Sequence, residues 1–255
     1  MAQTSKKAEQ TDYAASNPGT ESMPEPNEDR EGQASCCRTN VLIRVGPKGR
    51  LPLYATAGSA GCDLFASAAI SLRPGETRLL PLDIVMAIEP GVEAQIRPRS
   101  GLSLKTDLRL PNAPGTIDSD YRDEVCVLLQ NTFSQADLAL QPAGSPELAD
   151  RFCQTAHKST LADYLNQLHH LHQSGPPDDP CFAPDMIESQ YPELCTQILY
   201  LDDRGNPWGT LYIEPGDRIA QMVFSRHLQA DFIPHDDPAA VGADRGGGFG
   251  STGVR

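Results

Sequence analysis

Residues 111–131 read PNAPGTIDSDYRDEVCVLLQN and carry the strongest local signals in this chain of 255 residues. Proline and glycine in 111–115 enforce an irregular approach, after which 116–117 begin a β run. Residues 118–121 are turn formers, and 125–129 are apolar enough to return as a second strand. The pattern predicts a β-hairpin with acidic residues at its open end.

Such a hairpin would place Asp118 beside backbone groups that face solvent. Free N–H and C=O groups at a strand end can read the hydrogen-bonding edge of a planar base. A turn rich in aspartate is, taken alone, more often only a solvated turn. The meaning of Asp118 therefore depends on what accompanies it in the rest of the chain.

Composition limits the classes of function. The formal net charge of −13 opposes binding to nucleic acid or to an anionic membrane. Seven cysteines without a CxxC pair argue against a disulfide framework and a zinc site, and suit a reducing compartment. We find neither an apolar run of membrane-spanning length nor a signal-peptide segment, so we expect a cytoplasmic protein with no membrane partner.

The texture of the sequence divides the chain into four parts. Residues 1–38 are acidic and poor in large apolar side chains, which predicts a disordered tail. Residues 39–133 contain short β-branched runs separated by Gly and Pro, the pattern of an antiparallel sandwich or barrel. Residues 208–255 again show the pattern of β-strands and end in a Gly-rich arm. The pattern of residues 134–207 predicts a mostly helical insertion.

Two helix starts support the insertion. Ser145 followed by Pro146 provides an N-cap and a first helical residue. Thr160 with Asp163 provides a capping pair for a second helix that carries a leucine stripe. We expect the β core to be interrupted by these helices.

Five segments share a defined order and spacing: AGCDLFA at 60–66, PRSGLSLK at 98–105, NAPGTIDSDYRDEV at 112–125, GDRIAQMVF at 216–224 and RGGGFGSTG at 245–253. In order and relative spacing, these segments resemble the five motifs of the trimeric deoxyuridine triphosphatase (dUTP diphosphatase) family. Each motif alone is weakly specific, but their order within a β-rich chain is a strong signal. The resemblance covers residues 41–133 and about 208–255, and it says nothing about the tail or the insertion.

The resemblance implies an all-β, jelly-roll or β-sandwich core in a homotrimer whose active sites lie between subunits. It also implies hydrolysis of dUTP to dUMP and pyrophosphate with Mg²⁺, which clears dUTP and supplies the precursor of dTMP. Asp118 matches the family's general base, and Tyr121 matches the residue that packs under the deoxyribose and excludes a 2′-OH. Asp63 matches a magnesium contact made through water, and Asp217 with Arg218 is expected to form a structural ion pair.

The resemblance implies further substrate contacts. The residues expected to read uracil are Asn112, Gly115, Thr116, Ile117 and Cys126. The residues expected to contact phosphate are Arg99, Ser100, Gly101, Gln221, Arg245, Ser251 and Thr252, in a glycine-rich arm that includes Gly250. Phe249 is expected to stack on uracil when this arm closes over a neighbouring subunit.

Two other functions stay open from the sequence. A dCTP deaminase would share the β core but needs a glutamate in the strand that here reads VCVLLQN, which has none. A nucleotide-gated interaction module would bind a protein partner through residues 134–207, because loops of such length are often functional. A helical lobe that only packs on the rim is the simpler interpretation of that insertion.

Overall fold

The computed structural model describes residues 38–134, 146–172 and 189–243. The acidic tail, apart from Arg38, and the last motif at 245–253 lie outside the described residues. The strands are β1 (Val41–Val45), β2 (Leu53–Tyr54), β3 (Cys62–Phe65), β4 (Ile70–Leu72), β5 (Thr77–Ile88), β6 (Val92–Arg97), β7 (Leu108–Arg109), β8 (Gly115–Ile117), β9 (Glu124–Asn131), β10 (His157–Thr160), β11 (Ile198–Leu201), β12 (Leu211–Ile213) and β13 (Arg218–Arg226). The α-helices are α1 (Ser100–Lys105), α2 (Pro146–Thr155), α3 (Leu161–His172) and α4 (Pro192–Cys195), and a 3₁₀ turn covers Pro238–Ala240.

Two antiparallel sheets form the core. One has four strands in the order β1-β5-β9-β7, and the other has five in the order β2-β3-β13-β6-β8. A smaller pair, β4 with β12, joins the first part of the chain to the part that follows the insertion. The fold is therefore the all-β jelly-roll or β-sandwich core that the sequence predicted.

Side chains that are buried at every second position of a strand form the core between the sheets. In β9, Val125, Val127 and Leu129 are at most 1% exposed, and the residues between them are only partly buried. The five-stranded sheet contributes Leu64 and Met222 from neighbouring strands to the same cluster. The long strands β5, β6, β9 and β13 thus place one face in the core, as alternation along a strand requires.

The predicted hairpin at 111–131 is wrong. Strand β8 pairs with β6 in the five-stranded sheet, whereas β9 pairs with β5 and β7 in the four-stranded sheet. Both strands bury apolar side chains in one core, but they approach it from opposite sides. The intervening residues 118–123 cross from one sheet to the other, a separation of about 10 Å for packed sheets.

The strands of residues 39–133 are interrupted by one short helix that the sequence did not predict. Helix α1 spans six residues within PRSGLSLK, where the sequence predicted only contacts with phosphate. Arg99 is its N-cap in extended conformation, and the Thr106 N–H donates to the Leu102 carbonyl at its end. The apolar pattern of this segment consists only of Leu102 and Leu104 with Ser103 between them, which is too short to distinguish a helix from a turn.

The insertion combines helices with a small sheet. Helices α2, α3 and α4 lie in its described part, and β10 pairs with β11 in a ladder from His157–Leu201 to Thr160–Ile198, which the sequence did not predict. The predicted cap of α3 is confirmed, because the Asp163 N–H donates to Thr160 Oγ1 at 3.1 Å. Within the described residues, no helix is both long enough and apolar enough to cross a membrane.

Aromatic rings join the two ends of the insertion to the core. The ring of Phe133, at its start, lies 5.6 Å from that of Trp208, at its end. Phe152 of α2 contacts Trp208 at 5.1 Å and Tyr200 of β11 at 4.9 Å, both edge to face. The four rings therefore form a second apolar cluster outside the sandwich.

Asn131, at the end of β9, is fully buried and fixes three separate segments. Its Nδ2 donates to the carbonyls of Leu72 and Gly209, both at 2.9 Å. Its Oδ1 accepts the Phe133 N–H at 3.0 Å. Gly209 has φ +96, and a Cβ there would lie 2.2 Å from the Phe133 ring, so only glycine fits beside this contact.

We expect Asn131→Ala to lower the free energy of unfolding by about 3–5 kcal/mol, because it leaves buried backbone groups without partners. Urea unfolding followed by tryptophan fluorescence and circular dichroism measures the change. The neighbouring Gln130→Ala is the control and should cost less than about 1 kcal/mol. Equal effects of the two variants would contradict the role of Asn131.

Candidate functional site

The first part of the site is an ion cluster of Asp63, Arg99 and Arg218, called here the arginine cluster. Asp63 Oδ1 accepts from Arg99 Nε at 2.9 Å, and Asp63 Oδ2 accepts from Arg218 Nη1 at 3.2 Å. The Asp63 side chain is 14% exposed, whereas those of Arg99 and Arg218 are 26% and 53% exposed. One carboxylate thus orients two guanidinium groups that still reach solvent.

Strand register brings the cluster together. Gln221 in β13 lies opposite Asp63 of β3 on one side and Arg97 of β6 on the other. The Arg99 Nη1 group also donates to the Arg218 carbonyl at 3.2 Å, which ties the end of β6 to the start of β13. These residues come from the first, second and fourth sequence motifs.

Gln221 packs tightly beside this cluster. Its Nε2 donates to the Pro98 carbonyl at 2.9 Å. A Cβ at Gly61 would lie 2.9 Å from Gln221 Oε1, so the glycine of the first motif allows the amide to approach the backbone. Gln221 is therefore fixed against the turn that carries Arg99.

Ser100 and Gly101 follow Arg99 at the start of α1, and both are exposed. Nothing lies within 4 Å of a Cβ built at Gly101, so the space above this backbone is open. The site therefore presents a hydroxyl and two guanidinium groups to solvent, groups that can bind a phosphate. The sequence predicted Arg99, Ser100, Gly101 and Gln221 for this purpose, and the structure brings all four together.

The second part of the site is the acidic turn, residues 118–123. Asp118 directly follows β8 and is exposed, and its carboxylate has no hydrogen bond or ion pair with the part of the chain that the structure describes. The Tyr121 N–H donates to the Asp118 carbonyl at 3.1 Å and closes the turn. The Asp118 side chain is thus available to hold a water molecule.

Tyr121 is held at both of its ends. Besides its backbone contact, its hydroxyl donates to the Glu124 carbonyl at 2.9 Å, and the residue is 39% exposed. Burial, followed by the nearby Cys126, Asp123 and Glu124, raises the pKa of Tyr121 above the usual value for a phenol. The hydroxyl consequently stays protonated and donating at neutral pH.

The residues predicted to read a base lie around β8. Gly115 contacts the Asn112 amide closely, since a Cβ there would lie 3.0 Å from Asn112 Nδ2. Ile117 points into the core at 8% exposure, and Thr116 is exposed. Strand β8 pairs only with β6 among the described strands, so its outer edge can offer backbone groups to a ligand.

Cys126 lies in the other sheet, on β9. Its Sγ contacts the Glu124 carbonyl at 3.6 Å, and burial together with Glu124 raises the pKa of the thiol. The thiol therefore stays protonated near the acidic turn. It can contribute packing or a weak hydrogen bond to a ligand there.

Within one chain, the acidic turn and the arginine cluster are far apart. Ile117 lies level with Ala94 of β6, whereas Asp63 lies level with Arg97. Strand rise and strand spacing then separate Asp118 from Asp63 by about 13 Å along the strands and about 14 Å across them. A ligand that touches both parts must therefore bridge most of a sheet or lie between two chains.

The structure contradicts one predicted ion pair of the site, and the last motif lies outside the described residues. The ion pair of Asp217 with Arg218 is wrong, because Arg218 pairs with Asp63 and Asp217 Oδ2 accepts the Glu214 N–H at 2.8 Å in a turn. Arg245, Phe249, Gly250, Ser251 and Thr252 lie outside the described residues. Sequence reasoning missed Glu124, because it began the strand at residue 125, whereas Glu124 is the first residue of β9.

The described residues contain no group of three or more His, Cys, Asp or Glu side chains that could hold a metal ion. Asp63 is the candidate for magnesium, but each of its oxygens already accepts from a guanidinium group. Its remaining lone pairs suit a bound water rather than direct coordination. The donor set therefore fits Mg²⁺ only through water.

Comparison with known proteins gives a consistent result. The dUTPase family model matches residues 48–154. The deoxyuridine 5′-triphosphate nucleotidohydrolase of Anaeromyxobacter sp. (strain Fw109-5) is 47% identical over 124 residues, which cover 44% of this chain and 84% of that protein. The enzyme of the same name from Methylocella silvestris is 56% identical over 85 residues, which cover 32% of this chain and 53% of that protein.

A solved structure shares the fold. The dUTPase of Staphylococcus bacteriophage 80alpha with dUpNHpp superposes with a TM-score of 0.55 at 19% identity. The superposition covers 84% of this chain and 99% of the phage chain. At this identity the match supports the β fold, and the sequence relatives provide the evidence for the family.

We expect Asp63→Asn to lower the free energy of unfolding by about 1–2 kcal/mol, since an amide replaces one acceptor with a donor facing a guanidinium. Thermal and urea unfolding measure the loss. Asp203→Asn is the control, because Asp203 pairs with His157 on the surface at 3.1 Å with both side chains more than 60% exposed. A smaller loss for Asp63 than for Asp203 would contradict the central position of Asp63.

Proposed function

Because this chain belongs to the dUTPase family, we propose that it hydrolyses dUTP to dUMP and pyrophosphate, with Asp118 as the base. The observation that supports this most directly is the Asp118 carboxylate itself, which is exposed and has no partner among the described residues. A carboxylate in that state can orient a water and accept its proton. Its neighbours supply the remaining chemistry.

In the proposed reaction, the water held by Asp118 attacks the α-phosphorus, and its proton passes to the Asp118 carboxylate. The bond to the bridging oxygen breaks, and pyrophosphate leaves with the electron pair. Ser100 donates a hydrogen bond to an oxygen of the leaving group, and Arg99 and Gln221 hold the phosphates. Asp63 acts by orienting Arg99.

Magnesium enters this proposal as a bound cofactor. Asp63 would hold it through water, and the ion would neutralise the charge that the triphosphate carries. The local protein charge supports an anionic ligand even though the net charge of the chain is −13. Two guanidinium groups against one carboxylate leave the arginine cluster with an excess positive charge.

Uracil would bind along the outer edge of β8. Asn112 and the backbone of 115–117 would read its polar edge, and Cys126 would pack near carbon 5. A methyl group at that carbon, as in thymine, would overpack the site. Tyr121 would lie under the deoxyribose and exclude a 2′-OH.

The last motif completes the proposed site. Arg245, Ser251 and Thr252 would contact the γ-phosphate, and Phe249 would stack on uracil as the arm containing Gly250 closes. The support for these roles is the match of RGGGFGSTG to the fifth motif of the family. Asp118 and the arginine cluster belong to the β core and not to this arm.

A homotrimer with shared sites would resolve the distance between Asp118 and the arginine cluster. The segment after β13 supports this arrangement, because Leu228, Phe232 and Ile233 are 98%, 93% and 84% exposed. Apolar side chains in such an extended segment are typical of an arm that packs on another subunit. We propose that Asp118 of one subunit acts on a nucleotide held by the arginine cluster of another.

The two alternatives are less well supported. The matched relatives are nucleotidohydrolases, which favours hydrolysis over deamination of dCTP and over a purely nucleotide-gated interaction role. The described part of the lobe at 134–207 packs on the residues that flank it, because the Phe152 ring lies 5.1 Å from the Trp208 ring, which is consistent with a lobe packed on the rim. The described parts of that lobe, residues 134, 146–172 and 189–207, give binding of a protein partner no support of its own.

We expect rapid pyrophosphate release from dUTP in the presence of Mg²⁺, and little from dTTP, dCTP or UTP. Asp118→Asn should lower turnover of dUTP by about 10³-fold or more, because the amide cannot accept the proton. It should leave binding of a non-hydrolysable dUTP analogue within about threefold, since the fold and the phosphate contacts remain. Ammonia release from dCTP, or near-normal turnover by Asp118→Asn, would contradict the proposal.

Mixing two inactive variants tests the shared site. Asp118→Asn retains its phosphate contacts, and Ser100→Ala, an exposed change, retains the base. Equal amounts refolded together should recover about a quarter of wild-type activity if each site combines two subunits at random. Each variant refolded alone is the control, and no gain on mixing would place Asp118 and Ser100 of the same subunit in one site.

A further inference from the structure

Asp83 adopts an unusual backbone conformation in the middle of β5. Its φ is +55, and the register of β5 with β9 shifts between Pro81 and Val85. Positive φ is uncommon for residues other than glycine, although aspartate tolerates it better than most. The conformation marks a bulge that turns the Asp83 backbone out of the regular ladder.

Hydrogen bonds from a neighbouring loop hold this bulge. Asp83 Oδ2 accepts the Lys48 N–H at 2.7 Å and the Gly49 N–H at 3.2 Å. The Asp83 carbonyl accepts the Gly46 N–H at 2.8 Å. The loop 46–49 therefore fixes both the side chain and the backbone of Asp83.

The bulge leaves the Asp83 N–H free to bind a side chain. It donates to Glu124 Oε1 at 2.7 Å, across the point where Val85 lies opposite Glu124. Glu124 is the first residue of β9 and directly follows the acidic turn. The side chain of Glu124 thus fixes the end of that turn to β5.

The backbone of the same residue holds Tyr121. The Glu124 carbonyl accepts the Tyr121 hydroxyl at 2.9 Å, and the Tyr121 N–H donates to the Asp118 carbonyl at 3.1 Å. A continuous series of hydrogen bonds therefore runs from Asp83 through Glu124 to the Tyr121 ring. The series ends at Tyr121, the side chain that distinguishes deoxyribose from ribose in the proposed function.

We propose that Glu124 is a positioning residue that holds Tyr121 rigid and thereby determines the preference for dUTP over UTP. The inference rests on the proposed function and extends it to a residue outside the substrate contacts. Steric rejection of a hydroxyl needs a ring that cannot move aside. If the Glu124 carboxylate loses its hydrogen bond to Asp83, only the pairing of Glu124 with Val85 holds the end of the turn to β5, and the Glu124 carbonyl and the Tyr121 hydroxyl gain freedom to move together.

The exposure of Glu124 makes this role separable from folding. Glu124 and Tyr121 both lie at the surface, and the Asp83–Glu124 hydrogen bond is exposed. Such contacts contribute little to global stability. Removing the carboxylate should therefore leave the folded β core intact and alter the ordering of the turn.

The test compares kcat/KM for dUTP and UTP in the full chain. We expect Glu124→Ala to lower the dUTP/UTP ratio by about tenfold, since a pocket that rejects an added hydroxyl by sterics alone provides about 10² in total. Glu124→Gln should keep the wild-type ratio, because its amide oxygen still accepts the Asp83 N–H. A merely structural role would lower both kcat/KM values together and leave the ratio unchanged.

Glu89→Ala is the matched control, because Glu89 also accepts one hydrogen bond, from Thr39 Oγ1 at 2.6 Å, away from the acidic turn. The dUTP/UTP ratio of kcat/KM in this variant should equal that of the wild type. Tyr121→Phe should lower the ratio as Glu124→Ala does, and the double variant should lower it no further, because both changes remove one connection. Additive effects would overturn the inference.

The outcomes separate this inference from the function on which it rests. A wild-type chain that does not hydrolyse dUTP overturns both. A wild-type chain that hydrolyses dUTP, with an unchanged ratio in Glu124→Ala, overturns the role of Glu124 alone. A lowered ratio that Glu124→Gln restores supports it.

Discussion

The position of Asp118 depends on one of the places where the chain changes sheet. The chain leaves the five-stranded sheet after Ile117 and enters the four-stranded sheet at Glu124, because both strands bury apolar side chains in the same core. The residues between them must cross the rim of the sandwich, where no strand can pair with them. Asp118 is exposed for that reason, and a polar turn at this position removes no apolar side chain from the core.

A local cluster of cations would allow an acidic protein to bind a triphosphate, as the proposed function requires. The chain carries a net charge of −13, so phosphate needs local cations. Asp63 holds Arg99 and Arg218 in place at 2.9 and 3.2 Å while both side chains keep solvent-exposed surface. The carboxylate gives the two cations a fixed geometry and neutralises only one of them, whereas the acidic turn lies on the far side of β6. The proposed function therefore assigns attraction of the ligand and activation of water to different regions of the surface.

Sequence predicted those features whose causes are local. The alternation of apolar and polar residues around Val127 predicted a strand, and the Thr160–Asp163 pair predicted the start of a helix. The order of the motifs indicated the family. Strand partners are decided by contacts distant in sequence, so the hairpin prediction failed. The expected pairing of Asp217 with Arg218 failed because successive residues of an extended chain point in opposite directions, which directs Arg218 to Asp63 instead. Glu124 could not be found because its partner, the Asp83 N–H, is exposed only by a bulge in another strand.

The insertion shows how a β sandwich accepts a long additional segment. Closing a loop costs only slightly more free energy as the loop lengthens, about 0.6 kcal/mol for each doubling, provided that its ends are held together. Here the ends meet through the rings of Phe133 and Trp208, and Asn131 binds the Gly209 carbonyl just beyond them. The chain then resumes at β12, which pairs with β4, so the order of the core strands does not depend on what lies between. Both ends of the lobe are thus fixed on its core side, and β13, which carries Arg218 and Gln221 to the proposed site, is held by its pairing with β3 and β6 rather than by the lobe.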